Sequence, residues 1–402
     1  MASKPMHIAV YGVLAATPLH APADGGLLTR IKQRVKLLLD LWRPRLALDY
    51  RNYAGAHAYN VGDVAISETI RRLLLKAAPD CTFSNVNWGD IEALRAAHRS
   101  KPIDLLVVAG SGYFQFDHAG RLAPHLEQAR RFLAETGIPY AFFGVGINQP
   151  FSTNAQGAGL VPDAVSGELL RALLAGAELI SVRDDYSANF LAAYTDKPIR
   201  MVGDPALHVA AALGLAQRKP GANRVPLIGI NLSFHGPTSN RLLLENLPAY
   251  VDALLDIQRH TGCRFRYIVH HGSEYPIPRL LRRRGVKLDI VHAALLATAG
   301  AYRDLDLHIG GMLHSCILAA SSGTPWIAIA YDIKHHGFNA CMGMDAYCLD
   351  APAFDPRSLS ALAQQALEQN AHLRDDIRTC RDRLHENITT MVAAMTAPRA
   401  AL

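Results

Sequence analysis

Residues 305–334 read LDLHIGGMLHSCILAASSGTPWIAIAYDIK. A short apolar run ends in the diglycine Gly310-Gly311, a helix-like stretch follows, and a second apolar run, 326–330, closes the unit. Runs that are apolar on both faces are what parallel strands covered by helices require, so the segment predicts a strand, a helix and a second strand parallel to the first. The same pattern recurs along the chain. Residues 7–13, 104–108, 140–143, 179–182 and 199–202 read as strands in the first half, and 227–232, 264–270, 287–291, 305–309 and 326–330 in the second. Such alternation predicts an α/β fold: two doubly wound, parallel-sheet (Rossmann-like) domains facing each other across a cleft.

The polar stretch 214–225, which carries glycine and proline, is the expected linker. It sets the domains at residues 1–215 and 226–355. Residues 356–402 follow as two helices, 359–371 and 374–396, without a further strand.

The 402 residues leave room for two or three domains, and the chain is 50% hydrophobic and 19% charged with no low-complexity tract. Long disordered regions are therefore disfavoured. The net charge of +6 is concentrated. Residues 27–45 carry Arg30, Lys32, Arg34, Lys36, Arg43 and Arg45 against Asp40 alone, and residues 279–287 carry Arg279, Arg282, Arg283, Arg284 and Lys287 without an acid. Such patches suit phosphates, lipid headgroups or acidic sugars, and lack the interleaved aromatics of a single-strand binder, so nucleic acid is not an expected partner.

In the first patch Leu28, Ile31, Val35, Leu38, Leu39 and Trp42 fall on one helical stripe. That predicts an amphipathic helix, which either touches an anionic membrane surface or packs on protein. Six cysteines without a CxxC pair and an N-terminus without a signal region point to a reducing cytoplasm. No apolar run is long enough to span a membrane, so contact with one would be peripheral, at the inner face.

Glycines recur at the carboxyl ends of the predicted strands: Gly110 and Gly112, Gly144 and Gly146, Gly203, Gly272, Gly310 and Gly311. Ligands of parallel sheets bind there, next to helix N-termini that present free N–H groups to anions. No GxGxxG or Walker pattern is completed, which disfavours dinucleotide and P-loop chemistry. Asn60-Val61-Gly62-Asp63 opens a helix-like run, where Asn60 or Asp63 is either an N-cap or a substrate ligand. Arg183-Asp184-Asp185 ends a strand as a solvated turn or as a grip on a carboxylate or phosphate. His314 is a core residue or, one turn past the diglycine, a proton carrier at an anion site. Tyr331 and Lys334 follow the next strand on the same edge. The pairs His270-His271 and His335-His336 lack metal-ligand spacing, so neither a metal nor another cofactor is expected.

Taken together, the segments NVGDVAI (60–66), VVAGSGYF (107–114), FGVGI (143–147), ISVRDDYS (180–187), VGDP (202–205), IGIN (228–231) and 309–334 resemble the polysaccharide pyruvyl transferase family. The resemblance spans residues 60–350 in family order. It implies a glycosyltransferase-B-like fold and metal-free transfer of the enolpyruvyl group of phosphoenolpyruvate onto two hydroxyls of a saccharide, or of its lipid-linked precursor, as a ketal. It assigns His314 to proton transfer at the enol ether, Asp63 to activation of the acceptor hydroxyl, and Arg183 with Lys334 to the donor's anions. Asn60, Gly62, Gly110, Gly112, Asp184, Asn231, His270, Gly310, Gly311, Ser315 and Tyr331 complete the expected substrate-binding set.

One departure stands out. The family carries arginine two residues before the histidine, and this chain has Met312, which cannot bind phosphate. Either Arg279–Arg284 or Lys334 substitutes, or the donor differs, or catalysis is lost. The family also often has a third glycine where Ala109 or Ser111 stands. The alternatives to a pyruvyl transferase are a glycosyltransferase using a nucleotide sugar and a non-catalytic saccharide-binding member. Self-association is left open.

Overall fold

The computed structural model describes residues 5–12, 60–117, 119–148, 160–215, 224–232, 237–271, 274 and 276–397. The expected amphipathic helix at 27–45, Gly272 and most of the linker lie outside these residues.

The first half builds a six-stranded sheet from β1 (His7–Tyr11), β2 (Thr82–Val86), β3 (Leu105–Ala109), β5 (Tyr140–Val145), β7 (Leu179–Val182) and β8 (Ile199–Met201), in the order β2-β1-β3-β5-β7-β8. All its pairings are parallel. Short strands β4 (Phe114–Gln115) and β6 (Ile147–Asn148) pair with each other outside it. The second half builds another parallel six-stranded sheet from β9 (Leu227–Asn231), β10 (Arg264–Ile268), β11 (Leu288–Val291), β12 (Leu307–Gly310), β13 (Trp326–Ala330) and β14 (Cys348–Asp350), ordered β11-β10-β9-β12-β13-β14. Each order reverses beside the half's first strand, between β1 and β3 and between β9 and β12. A ligand crevice forms beyond the carboxyl ends at such reversals.

β1, β3, β5, β9, β12 and β13 are buried throughout, which is why their sequences read as unbroken apolar runs. The short pair β4 and β6 was not anticipated, nor were two strands of the six-stranded sheets. β2 (TFSNV) and β14 (CLD) lie at sheet edges, where one side faces solvent and polar residues are tolerated.

The helices that bear on the site are α1 (Val61–Ala77), α2 (Asp185–Ala192), α3 (Leu313–Ser321), α4 (Ile333–Cys341) and α5 (Asn370–Thr396). One face of the first sheet, with Ile8, Val10 and Val107, belongs to a core that runs through Val61 and Leu207 into Ile317 and Leu318 of the second half. The opposite face, with Ala9, Tyr11 and Val108, has a separate core within the first half. The two halves are thus joined by continuous apolar packing. α5 secures the junction: Arg374 donates to the Leu305 and Gly323 carbonyls at 2.7 and 2.8 Å, while Asn387 donates to the Met201 carbonyl at 2.8 Å. Leu384 and Ile388 of α5 are buried in the shared core, and full burial of such side chains stabilises by roughly 1.5–3 kcal/mol each. Among the described residues no helix is long and apolar enough to cross a membrane.

Candidate active site

Asn60 caps α1: in an extended conformation, its Oδ1 accepts from the Gly62 N–H at 3.0 Å. The cap therefore falls to Asn60, and Asp63 is left in the first turn with its side chain facing the second half. The His270 carbonyl accepts from the Val61 N–H at 3.2 Å, so this helix end is docked on the end of β10. α3 approaches it from the other side. Met312 holds the N-cap position of α3 without a side-chain cap, and His314 stands in the first turn with Nδ1 3.8 Å from Asp63 Oδ1. That separation is longer than a hydrogen bond. The approach depends on Gly62, because a Cβ there would lie 2.1 Å from Cγ and Nδ1 of the His314 ring.

Arg183 ends β7. Its Nε donates to Asp184 Oδ2 at 3.0 Å and its Nη2 to the Ile147 carbonyl at 3.3 Å, while Asp184 Oδ1 caps α2 by accepting from the Ser187 N–H at 2.7 Å. The guanidinium lies against Gly146, where a Cβ would sit 2.2 Å from Arg183 Nε. On α4, Lys334 reaches Asp332 at 3.6 Å and lies 5.2 Å from the centre of the Tyr331 ring. The side chains of Asp63, His314 and Lys334 are 22, 12 and 19% exposed, so the three form a partly buried surface.

The charges act on one another. Burial chiefly, then His270, Lys334, Arg183 and His335, pushes the His314 imidazole down to about 3, so it is neutral at rest. Burial and then Asp204 push the Asp63 carboxyl up to about 7, against the pull of Lys334. Asp204 itself rises to about 6 through burial, opposed by Arg183 and the Ala206 N–H. For Lys334 desolvation works against the charge, but Tyr331 and Asp332 outweigh it and raise its proton affinity. The ammonium is retained.

Other expected site residues lie behind this surface. Asn231 Nδ2 donates to the Ile268 carbonyl at 2.9 Å and to Glu274 Oε2 at 2.7 Å, and the Asn231 carbonyl accepts from the Gly311 N–H at 2.6 Å. His270 Nε2 is 2.7 Å from the Tyr302 hydroxyl, and Ser315 Oγ donates to the Met312 carbonyl at 2.7 Å. Gly110, Gly112 and Gly310 permit close packing by Ile66, Asn148 and Cys316. Ser111, one of the two positions where a further glycine was expected, adopts a left-handed φ of 60°. A non-glycine residue there carries backbone strain.

Asp204 and Glu274 were not singled out in the sequence, and His335 was weighed only as half of a histidine pair without metal-ligand spacing. His335 Nε2 is 3.0 Å from the Gly311 carbonyl and fastens α4 to the diglycine. Asp204 had a signal in the segment VGDP, although an Asp-Pro after a strand also reads as an ordinary turn.

Residues 60–333, more than half of the chain, match the family model described as polysaccharide pyruvyl transferase. The chain belongs to the polysaccharide pyruvyl transferase family. Its members are transferases, and the matched segment runs from the cap of α1 to the start of α4. Among curated proteins none matches this chain.

Several solved structures share the fold. A candidate UDP-N-acetylglucosamine 2-epimerase from Listeria monocytogenes is 10% identical with a TM-score of 0.54, covering 86% of this chain and 97% of its own. The Neisseria meningitidis UDP-GlcNAc 2-epimerase bound to UDP-GlcNAc is 10% identical with a TM-score of 0.52, covering 82 and 96%. The S. aureus MnaA complex with UDP gives 10% and 0.51, covering 84 and 96%. At this identity the likeness concerns the fold, which is glycosyltransferase-B-like.

Three arginines of the basic run after β10 lie away from His314. Arg282, Arg283 and Arg284 are exposed, and Arg282 donates to the carbonyl of Leu288, the first residue of β11, at 3.0 and 2.8 Å. They lie toward the amino ends of the strands, opposite the edge that carries His314. Lys334 and Arg183 are the cations that act on His314.

Proposed function

We propose that the protein transfers the enolpyruvyl group of phosphoenolpyruvate to a saccharide, as a ketal, in the building of a cell-surface polysaccharide or its lipid-linked precursor at the cytoplasmic face of the membrane. The observation that carries this reading is the meeting of Asp63 and His314, from different halves, between two cations, Lys334 and Arg183. In the reaction two acceptor oxygens bond to C2 of the donor and the bond from C2 to the phosphate oxygen breaks. One hydroxyl proton ends on C3, which becomes a methyl group, and the other ends on phosphate.

Each requirement has a candidate residue. Lys334 and Arg183 suit the donor's phosphate and carboxylate. Asp63, whose proton affinity is raised to the neutral range, suits removal of a hydroxyl proton. His314 suits delivery of the proton to C3, because anions that neutralise Lys334 and Arg183 also remove part of what holds the imidazole low. The test is phosphate release from phosphoenolpyruvate in the presence of candidate saccharides, with the ketal identified by mass. No release with any pyranoside acceptor that offers a suitable diol would refute the reading.

Met312 favours a second reading, a saccharide-binding member without turnover. It is only 7% exposed and brings no charge to the α3 N-terminus. Met312→Arg restores a phosphate partner and is expected to tighten phosphoenolpyruvate binding by up to roughly tenfold, about 1.4 kcal/mol, or to leave it unchanged. Calorimetry showing no binding to either form would decide for the second reading.

A further inference from the structure

A group of rings at the carboxyl edge of the first sheet, on the face opposite α1, has none of the roles assigned so far. Trp88 and Gly89 lie in the turn after β2, Tyr113 in the turn after β3, and His125 in the first turn of the helix Pro124–Thr136. The Trp88 and His125 rings meet edge to face with centres 4.6 Å apart, and each lies 6.0 Å from Tyr113. Tyr113 packs in turn on Tyr11, the last residue of β1, at 6.3 Å. The Tyr11 hydroxyl accepts from the Gly89 N–H at 3.0 Å, which fixes the Trp88 turn from beneath.

Burial accounts for Tyr11 and Tyr113, which are 0 and 2% exposed in the core of the first half. It does not account for the residues around them. Trp88 stays part-exposed at the rim of that core, and its indole N–H makes no hydrogen bond among the described residues. His125 Nε2 and Asn87 Oδ1 are both buried without a hydrogen-bond partner. Asp90 is exposed and uses Oδ1 to cap the helix Ile91–Ser100, accepting from the Ala93 N–H at 2.9 Å. Bare buried polar atoms are costly unless water or a ligand pairs them. An indole with uncommitted donors and acceptors at its margin suits a pyranose, whose apolar face lies on the ring while its hydroxyls bond around it.

We propose that Trp88, with Asn87, Asp90 and His125 around it, is a saccharide subsite that holds a sugar unit of the acceptor other than the one that reacts. The proposal rests on the pyruvyl-transfer reading for the role of acceptor, though not for the binding of sugar. Ligands of parallel sheets lie where the strand order reverses, here between β1 and β3, and the subsite stands on Tyr11 and Tyr113 at the ends of those two strands. Gly110, three residues before Tyr113, packs against Ile66 of α1, the helix that carries Asp63. The ends of β1 and β3 therefore lie between Trp88 and Asp63. An acceptor chain laid across them places one unit on Trp88 while another meets Asp63 and His314, so the subsite favours oligosaccharides over single sugars.

The test is sugar binding by the full-length protein with ¹⁵N-labelled tryptophan, the Trp88 indole signal being assigned by its loss in Trp88→Phe. The probes are methyl β-D-galactoside, methyl β-D-glucoside and N-acetylglucosamine, and the disaccharides lactose, cellobiose and diacetylchitobiose. At least one disaccharide is expected to shift the Trp88 signal to saturation. By calorimetry it should bind at least about tenfold more weakly to Trp88→Ala, which has no stacking face. If Trp88→Ala does not fold, Trp88→Leu, which keeps apolar volume without a flat ring, must show the same loss. A Trp88 signal unmoved by every probe, or equal affinity in wild type and variant, overturns the subsite. The readout needs neither phosphoenolpyruvate nor turnover. Binding at Trp88 with no phosphate release from any acceptor would refute the transferase reading and leave the subsite standing. Turnover of a disaccharide with its KM unchanged in Trp88→Ala would do the reverse.

Discussion

His314→Ala is expected to lower phosphate release from phosphoenolpyruvate by ~10²–10⁴ in kcat, the usual loss when a general acid is removed, while the protein remains folded. Folding should survive because the ring is 12% exposed and borders the recess between Asp63 and Gly62, outside the apolar core shared by the two halves. The sign of the pH effect follows from the charges. At rest the imidazole is held down to about 3 by burial, assisted by His270, Lys334, Arg183 and His335. A donor carrying phosphate and carboxylate pairs with two of those cations, so the imidazole midpoint should rise on binding. Titration of the histidine ¹⁵N signals with and without phosphoenolpyruvate measures this directly. Full activity in a folded His314→Ala variant, or a midpoint indifferent to the donor, would remove the histidine from the proton path.

The sequence was most informative where one physical demand dominated. Strands buried on both faces had to be apolar throughout, so β3, β5, β9, β12 and β13 could be found from composition alone. β2 and β14 meet that demand on one side only, and their polar residues concealed them. The site was legible as a set of residue types at strand ends, but their division of labour was not. Whether Asn60 or Asp63 takes the helix cap depends on which residue precedes the first helical turn, and a few degrees of φ and ψ decide it. The cap on Asn60 leaves Asp63 available, and no periodicity could have shown this. Asp204 was hidden for a similar reason: Asp-Pro after a strand is an ordinary turn signal, and its bearing on Asp63 arises from the packing of that turn on α1. The substitution at Met312 was visible at once. Its consequence depended on where the nearby arginines lie, and Arg282 to Arg284 lie at the wrong edge of the sheet.

Gly62→Ala should be damaging out of proportion to its size. In an ordinary helix alanine is favoured over glycine by about 1 kcal/mol, and Gly300, whose added Cβ would meet nothing within 4 Å, shows what that predicts. Gly300→Ala, within the helix Leu295–Arg303, is expected to raise the melting temperature slightly or leave it unchanged, with activity intact. At Gly62 the same methyl group would come within 2.1 Å of Cγ and Nδ1 and 2.3 Å of Cβ of His314. The nearest of these atoms belong to the base of the ring, which has no flexible end to give way, so α1 must withdraw from α3 or the imidazole must swing off Asp63. Either movement is on the order of 1 Å, and misplacement of a reacting group by that distance costs about 10² in rate. The expected result is therefore a loss of at least about 100-fold in kcat/KM with a folded protein, against no loss for Gly300→Ala. Measured side by side, the two variants separate contact geometry from helix propensity. Wild-type turnover in Gly62→Ala would mean that the close approach of α1 to His314 has no part in the chemistry.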